Sequence, residues 1–463
     1  MRGGAAAAAA VGSGVGSALC PAAPAARPAT RPASAQMEPA RFTVPPYAPR
    51  RIPAIRNARN FFALAFIFGL FHHPHIMATI LITGGCGFVG SNLALAFRRQ
   101  GARVIALDNL SRRGSEILLE RIRGAGVEFV RGDVRNPADL EQVSGAIDLL
   151  IECSAEPSVL VGVNGADAEF MVQNNLVGSL HCFEFARRRS AAVIFLSTSR
   201  VYPYDALNRQ EYREEATRFA PVRTSAGFGP EGVGLDFPLD GARSLYGATK
   251  LTSEIMLQEY SRQYDLPAVI DRCGVIAGPW QLGKQDQGVF TYWLVSHRLN
   301  RPLAYIGFGG QGKQVRDLLH IDDLVDLVLL QSRRIAEFRG DVFPAGGSTH
   351  SNLSLQEASA LCQRLTGNEI PIGARPENRP ADVIWFVTDN RPTTARLGWA
   401  PTRTAADVLR DIRDWLRERP DPVTGLGRLE YLALAAIRAG CESPGKIFSY
   451  VAAADTPPRF WGD

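Results

Sequence analysis

The sequence lacks the cysteine pairs that would mark a disulfide framework or a zinc site. Its seven cysteines are scattered over 463 residues, none forms a Cys-x-x-Cys pair, and no histidine cluster accompanies them. Scattered single thiols are typical of proteins from a reducing compartment. We therefore expect a cytoplasmic protein with reduced cysteines and no metal site.

The chain also lacks a hydrophobic run long enough to span a bilayer. Its apolar stretch at 61–71 covers 11 residues, whereas a membrane-spanning helix needs about 20. It lacks a large charge excess as well. The net charge is +5, but the first 76 residues contain eight arginines and one glutamate, so the remainder carries −2. We expect no membrane span and no nucleic-acid surface.

Residues 1–76 show no sustained apolar periodicity and are rich in Ala, Gly, Pro and Arg, a composition typical of disorder. Three interpretations are open for them: an arginine-rich targeting peptide, a weak interfacial anchor, or an upstream extension of the reading frame. We favour the extension, with translation starting at Met77, because the first predicted strand follows directly. Targeting is the second choice.

What the sequence does contain is a glycine-rich turn between a strand at 78–83 and a helix at 88–100. The glycines are Gly84, Gly87 and Gly90. Such a turn lets the backbone approach a pyrophosphate, and the free N–H groups of the first helical turn then face the anion. Glycine triplets also occur in ordinary turns, so the interpretation needs further support.

Acids at the ends of the next two strands supply that support. A strand at 102–107 ends at Asp108, about 20 residues beyond the glycines, where a carboxylate binds a ribose 2′-hydroxyl. Arg112 and Arg113 would favour NADP, but Asp108 stands at the strand end itself, so we expect NAD. A strand at 127–131 is followed by Asp133, which is placed to meet adenine.

A third feature is Tyr246 followed by Lys250 within a helical pattern. At this spacing both side chains share one helix face. The alternative interpretation is that these two residues form an ordinary pair on the protein surface. The presence of the glycine turn makes this interpretation less favoured.

These motifs occur in the order typical of one family. Thr83–Gly90, Asp108–Ser111, Asp133-Val134, Ser197–Tyr202 and Tyr246–Lys250 resemble the extended short-chain dehydrogenase/reductase family of nucleotide-sugar epimerases and dehydratases. The resemblance covers residues 77–418. With further strands predicted at 147–153, 192–197 and 267–273, it implies an α/β fold, a Rossmann-type doubly wound parallel sheet with a smaller interleaved C-terminal substrate-binding part. The expected parts are NAD-binding 77–273, mainly substrate-binding 274–420, and an extension 421–463 of unreadable function.

The resemblance also implies roles for individual residues. Thr198 would hydrogen-bond the reacting sugar oxygen, Tyr246 would be the acid/base, and Lys250 would lower the pKa of the Tyr246 phenol. Substrate contacts are expected from Thr198, Gln285, Arg316 and Asp382. Cofactor contacts are expected from Gly84, Gly87, Phe88, Val89, Gly90, Asp108, Asn109, Ser111, Arg112, Asp133, Val134, Cys153, Ser154, Ala155, Asn175, Tyr246, Lys250 and Cys273.

The neighbours of Thr198 narrow the activity. Family members that eliminate water carry Asp-Glu after this threonine, but here Ser199-Arg200 follow, so 4,6-dehydration is disfavoured. The segments 283–289 and 312–320 resemble the branch of CDP-paratose (CDP-tyvelose) 2-epimerases, which implies a CDP-sugar. Two departures are Val275, where relatives often have Asn, and Asp382-Val-Ile384, where they often have Asp-x-Arg.

We therefore expect an NAD-dependent nucleotide-sugar epimerase that oxidises its substrate to a keto sugar and reduces it again. The alternatives are a UDP-sugar 4-epimerase, a nucleotide-sugar reductase, and, from another class, a non-catalytic NAD-binding regulatory protein. The resemblance further implies a homodimer through residues 168–189 and 244–264. The glycine-rich segment before Tyr246 is expected to supply a lid.

Overall fold

The computed structural model describes residues 78–112, 114–162, 167–282 and 288–417. The predictions for residues 1–76, Met77, Arg113, residues 283–287 and residues 421–463 lie outside this part. The strands are β1 Thr79–Thr83, β2 Arg103–Asp108, β3 Glu128–Arg131, β4 Leu149–Glu152, β5 Ala192–Thr198, β6 Tyr212–Glu214, β7 Phe219–Pro221, β8 Phe228–Gly229, β9 Gly232–Val233, β10 Ala268–Cys273, β11 Val275–Ala277, β12 Leu303–Ile306, β13 Val315–His320, β14 Arg339–Ala345, β15 Asn352–Ser354, β16 Ile372–Arg375 and β17 Trp385–Phe386.

The helices alternate with these strands through the first half of the described chain. They are α1 Phe88–Arg99, α2 Ser115–Gly124, α3 Pro137–Glu141, α4 Ala168–Val172, α5 Gly178–Arg189, α6 Tyr204–Asn208, α7 Leu245–Tyr264, α8 Val289–Arg298, α9 Ile321–Arg333, α10 Leu355–Thr366, α11 Arg391–Leu397 and α12 Ala405–Arg417. A π-helical turn, Gln173–Val177, joins α4 to α5. Within the described ranges, no helix is long and apolar enough to cross a membrane.

Seven parallel strands form the central sheet, in the order β14-β10-β5-β4-β1-β2-β3. The strand order reverses beside β1, and the crevice at such a switch point is where doubly wound folds bind their ligands. The carboxyl ends of β1, β2, β4, β5 and β10 all open onto this crevice. The predicted α/β Rossmann-type fold is confirmed.

Continuous apolar runs explain why these segments form central strands. Every residue of β4, β5 and β10 is buried, as expected of parallel strands that carry helices on both faces. One face packs against a cluster that contains Leu93 and Leu324. The other packs against a cluster that contains Phe183 and Leu257.

The seventh strand, β14, was not predicted. Its sequence contains Gly340 and Pro344, residues that disfavour central strands. The proline is tolerated because β14 is the edge strand and pairs on one side only, with β10. This strand comes from the C-terminal half of the chain, so the two parts are interleaved as the resemblance implied.

The smaller part is built around a second sheet. Strand β13 pairs with β11, β15 and β17. Helices α8, α10 and α12 cover it with a separate apolar cluster that contains Phe290, Cys362 and Leu409. This cluster supports the wall of the crevice that faces the central sheet.

The glycine-rich segment between Tyr202 and Tyr246 does not form the expected lid. Its side chains Phe228, Val233 and Phe237 are buried against Trp385 and Phe386. Ion pairs also tie it to the smaller part, among them Lys313–Glu214 at 2.8 Å. None of residues 203–243 lines the crevice. The segment packs beside the crevice instead of covering it, because its aromatic side chains are buried in a separate apolar cluster.

Candidate active site

A cleft of about 1210 Å³ lies between the central sheet and the smaller part. One wall consists of the carboxyl ends of the central strands, and the other includes Val275, Leu303 and residues 379–382. Among the predicted residues, it brings together Gly84, Gly87, Phe88, Val89, Gly90, Asp108, Asn109, Ser111, Arg112, Val134, Cys153, Ser154, Ala155, Thr198, Tyr246, Lys250, Cys273, Arg316 and Asp382. Gln285 lies outside the described residues.

The glycine turn forms a tight backbone cradle at one end of the cleft. Gly84 has a φ of +64°, and a Cβ there would lie 2.8 Å from the carbonyl oxygen of Cys153. A Cβ at Gly90 would collide with the carbonyl of Gly84. Helix α1 begins at Phe88 after Gly87, which offers no side-chain cap. The first-turn N–H groups are therefore left for a ligand, and the cradle fits a dinucleotide pyrophosphate.

Asp108 closes the far side of this cradle at the end of β2. Its carboxylate accepts hydrogen bonds from the backbone N–H groups of Cys86, at 3.0 Å, and Leu110, at 2.8 Å. Burial raises the pKa of this carboxyl, and the two backbone donors oppose that shift. These bonds orient the side chain at the position that a ribose hydroxyl requires.

Asp133 supports this region from behind and does not line the cleft. It accepts a hydrogen bond of 2.9 Å from the Asn109 amide. Hydrogen bonds from Arg135 lower the pKa of Asp133 to about 2. The neighbouring Gly132 and Val134 line the cleft instead. Any adenine contact at the end of β3 would therefore come from these neighbours.

Asn175 also lies behind the cleft wall. It is fully buried, accepts from the Glu156 N–H at 2.8 Å and donates to the Glu156 carbonyl at 2.9 Å. This pair of bonds fixes the loop that begins with Cys153, Ser154 and Ala155. Asn175 is thus neither a helix cap nor a surface amide, and it shapes the cofactor wall indirectly.

Thr198 and Tyr246 meet where β5 and α7 approach each other. Helix α7 begins at Leu245, capped by the Ser244 hydroxyl, which accepts from the Gly247 N–H at 3.2 Å. A Cβ at Gly247 would collide with the backbone of Arg200, so glycine allows this close approach. Burial raises the pKa of Tyr246, whereas the charge of Lys250 and the nearby Thr198 hydroxyl lower it.

Lys250 has a partner that the sequence analysis missed. Its ammonium lies 3.3 Å from Oε2 of Glu152, and both side chains are buried, with 2% and 0% of their surfaces exposed. The ammonium also lies 4.4 Å from the centre of the Phe195 ring. Burial raises the pKa of Glu152, and the charge of Lys250 opposes that shift. An acid within the otherwise apolar run of β4 was the available signal.

A buried network holds α7 against the sheet. Arg272 on β10 donates to Glu254 on α7 at 2.7 Å and to the Tyr202 hydroxyl at 3.3 Å. Ser197 on β5 donates to the same Glu254 at 2.5 Å. Because Glu254 lies two turns along the helix from Tyr246, these bonds set the position of the tyrosine relative to Thr198.

The two predicted substrate residues of the smaller part pair with each other. Arg316 lies 2.5 Å from Asp382 and donates to the Val383 carbonyl at 2.6 Å. Arg316 does not pair with its sequence neighbour Asp317, which accepts from the backbone N–H groups of Ser348 and Thr388. Arg316 therefore reaches the cleft as one half of an ion pair.

A glycine cradle, an orienting acid on the next strand and a buried Tyr–Lys pair in one cleft define an NAD-dependent enzyme of the short-chain dehydrogenase/reductase type. The chain belongs to the NAD dependent epimerase/dehydratase family, whose model matches residues 80–346.

Individual proteins resemble the chain over nearly their whole length. CDP-paratose 2-epimerase from Salmonella typhi is 30% identical over 346 residues, which cover 73% of this chain and 98% of that enzyme. The X-ray structure of Pal from Bacillus thuringiensis is 24% identical, with a TM-score of 0.61, and covers 73% of this chain and 99% of Pal. The structure of UDP-glucuronic acid 4-epimerase from Bacillus cereus, with UDP-glucuronic acid and NAD, is 22% identical, with a TM-score of 0.58 over 73% of this chain and 99% of that one.

Proposed function

We propose that this NAD-dependent nucleotide-sugar epimerase acts on a CDP-sugar and inverts carbon 2, as its relative CDP-paratose 2-epimerase does by name. The observation that carries the epimerase chemistry is the buried Tyr246, which lies beside Thr198 and Lys250 in the cleft. The sequence after Thr198 offers no Asp-Glu pair for an elimination. The 30% identity to the named enzyme supports the choice of nucleotide and carbon.

The residues of the cleft divide the work of such a reaction. When bound, NAD accepts and returns the hydride of the sugar carbon. Thr198 holds the reacting oxygen by a hydrogen bond, and Tyr246 takes the hydroxyl proton and later gives it back. Lys250 favours the ionised tyrosine. The buried hydrogen bonds to Glu254 hold α7 in place and so fix the position of the Tyr246 hydroxyl relative to the Thr198 hydroxyl.

Solvent labelling tests this mechanism. Transient oxidation at the inverted carbon never releases a carbon-bound proton to water, so turnover in D₂O should leave the sugar ring free of deuterium. Mass spectrometry of the product measures this directly, and substrate deuterated at carbon 2 should keep its label. Deuterium taken up from solvent would contradict the proposal, as would net accumulation of NADH.

A UDP-sugar 4-epimerase is the second candidate, because Tyr246 and Thr198 serve a hydroxyl at either carbon. Inversion at carbon 4 alone, read by NMR of the product, would replace the 2-epimerase proposal and keep the mechanism. A reductase would give net oxidation of NADH. Absence of turnover with CDP- and UDP-sugars would favour a regulatory NAD-binding protein.

We also propose a cytoplasmic homodimer. The reduced compartment is supported by five unpaired cysteines in the described ranges. The dimer is supported by two large apolar side chains exposed on α7: Ile255, at 52%, and Tyr264, at 47%. Helix α5 packs beside α7, and together with α4 they cover the two segments that the family resemblance assigns to the interface.

A further inference from the structure

Arg200 brings a positive charge to the centre of the cleft. It follows Thr198 by two residues, and its backbone N–H donates to the Thr198 hydroxyl at 3.2 Å. Its side chain is partly buried and lines the cleft. The Tyr246 side chain is close enough to raise the pKa of Arg200. Arg200 therefore lies on the side of the cleft where the sugar reacts.

Its guanidinium group has few hydrogen-bond partners among the described residues. The group donates to the Ala381 carbonyl at 3.2 Å, and no carboxylate of the described residues lies within ion-pair distance of it. The neighbouring Arg316 differs, because it is already bound to Asp382 and to two backbone carbonyls. Of these two arginines, Arg200 has the donors that remain for a ligand.

A partly buried cation without an anionic partner is costly to keep. Burial and the like charge of Arg316 both lower the pKa of Arg200, and Asp382 only partly opposes them. A planar guanidinium binds the two oxygens of a carboxylate or phosphate in a fork. An anionic ligand would therefore satisfy both the free donors and the charge.

We propose that Arg200 is a substrate-binding residue whose guanidinium pairs with an anionic oxygen group of the nucleotide sugar. Two sources share this chemistry: the diphosphate and a carboxylate carried by the sugar. The proposal rests on the nucleotide-sugar activity of the protein, and it does not depend on which carbon is inverted or on which nucleobase is preferred.

Binding of four probes to the full-length protein with NAD tests the proposal. The probes are CDP, UDP, UDP-glucose and UDP-glucuronic acid, and isothermal titration calorimetry gives each Kd. Arg200→Gln removes the charge and should weaken binding roughly 10- to 100-fold, the range for a hydrogen bond to a charged group. Arg200→Lys keeps the charge without the fork and should recover part of the loss.

The pattern over the probes identifies the anion. Equal weakening of all the bound probes assigns Arg200 to the diphosphate, whereas weakening of UDP-glucuronic acid alone assigns it to a sugar carboxylate. The control is Arg209→Gln, whose side chain is 67% exposed and pairs with Asp205; it should leave every Kd unchanged. If Arg200→Gln does not fold, a loss of at least threefold with Arg200→Lys supports the proposal.

Two results would overturn the assignment. One is an unchanged Kd for every probe in the folded Arg200→Gln variant, or in Arg200→Lys where the glutamine variant does not fold. The other is a wild-type protein that binds none of the probes. Failure of the epimerase proposal looks different: probes bind and depend on Arg200, yet no sugar is inverted.

Discussion

At the scale of single residues, the reactivity of Tyr246 depends on opposing neighbours. Burial disfavours its phenolate, and the ammonium of Lys250 favours it. Glu152 complicates this balance because its carboxylate lies 3.3 Å from the same ammonium. The charge that Lys250 presents to Tyr246 is thus shared with an acid at the end of β4.

Replacement of Tyr246 by phenylalanine should lower kcat roughly 10³-fold or more, because the proton transfer proposed for it contributes on this order. Steady-state kinetics measure the loss, and calorimetry should show unchanged NAD affinity. Tyr264→Phe, at the exposed end of the same helix, is the control and should keep full activity. Near-normal turnover in Tyr246→Phe would contradict the assignment of the acid/base.

Replacement of Glu152 by glutamine should shift the acid limb of the kcat–pH profile downward by about one unit, the size expected for removal of one nearby charge. The direction follows because loss of the negative charge beside Lys250 makes the Tyr246 phenolate easier to form. Tyr246 is also approached by Thr198, Arg200 and Cys273, which the variant leaves in place.

The control for Glu152→Gln is Glu357→Gln, which removes an acid from the capping box of α10. It should change stability without moving the acid limb. If Glu152 has a purely structural role, Glu152→Gln would lower the melting temperature, and the acid limb of its kcat–pH profile would stay at the wild-type pH.

At the scale of secondary-structure elements, strand β10 carries a buried acid that the proposed chemistry does not use. Asp271 is fully buried, accepts from the Gln331 amide on α9 at 2.6 Å, and leaves its second oxygen without a partner among the described residues. Burial raises the pKa of this carboxyl from 3.8 to about 7. The contact joins the central sheet to a covering helix.

This shift makes stability depend on pH. Since the folded state holds the proton more tightly than the unfolded state, stability falls as the pH rises from about 4 to about 7 and then stays level. Asp271→Asn should therefore raise the free energy of unfolding by roughly 1–4 kcal/mol above pH 7, and it should change little at pH 4. Urea denaturation at several pH values measures both.

The matched control is Asp236→Asn, which changes an exposed carboxylate and should leave stability at every pH within about 0.5 kcal/mol. A wild-type protein more stable than Asp271→Asn at pH 8 would show that the ionised carboxylate has partners which offset its burial.

At the scale of the whole molecule, the proposed dimer would form through the exposed surface of α5 and α7. Replacement of Ile255 by glutamate places a charge on the proposed interface and should convert the dimer to a monomer, because a charge in an apolar contact is costly to desolvate. Light scattering after size-exclusion chromatography measures the mass. Val222→Glu, at another exposed apolar position, is the control and should stay dimeric.

Much of this architecture was predictable because it depends on local sequence patterns. The apolar runs of β1, β2, β4, β5 and β10, the glycine turn, and the i, i+4 spacing of Tyr246 and Lys250 each depend on neighbours in sequence. Local patterns fail where a pairing overrides composition. Strand β14 is an example. Its glycine and proline predict the absence of a strand, but the segment forms one because it pairs with β10.

The sequence by itself determined the α/β fold, the family and the cofactor, and it predicted the residues proposed to handle the proton, because strand, turn and helix signals act over a few residues. Only the tertiary structure decided which charges meet. Lys250 and Glu152 are separated by 98 positions, and Arg316 and Asp382 by 66. Arg316 meets Asp382 because β13 pairs in parallel with β17, and Asp382 lies just before β17. Glu152 reaches Lys250 because parallel strands bring their carboxyl ends to one edge of the sheet, where an acid from one strand can meet a base from another element. The same convergence leaves Arg200 in the cleft with donors for a substrate.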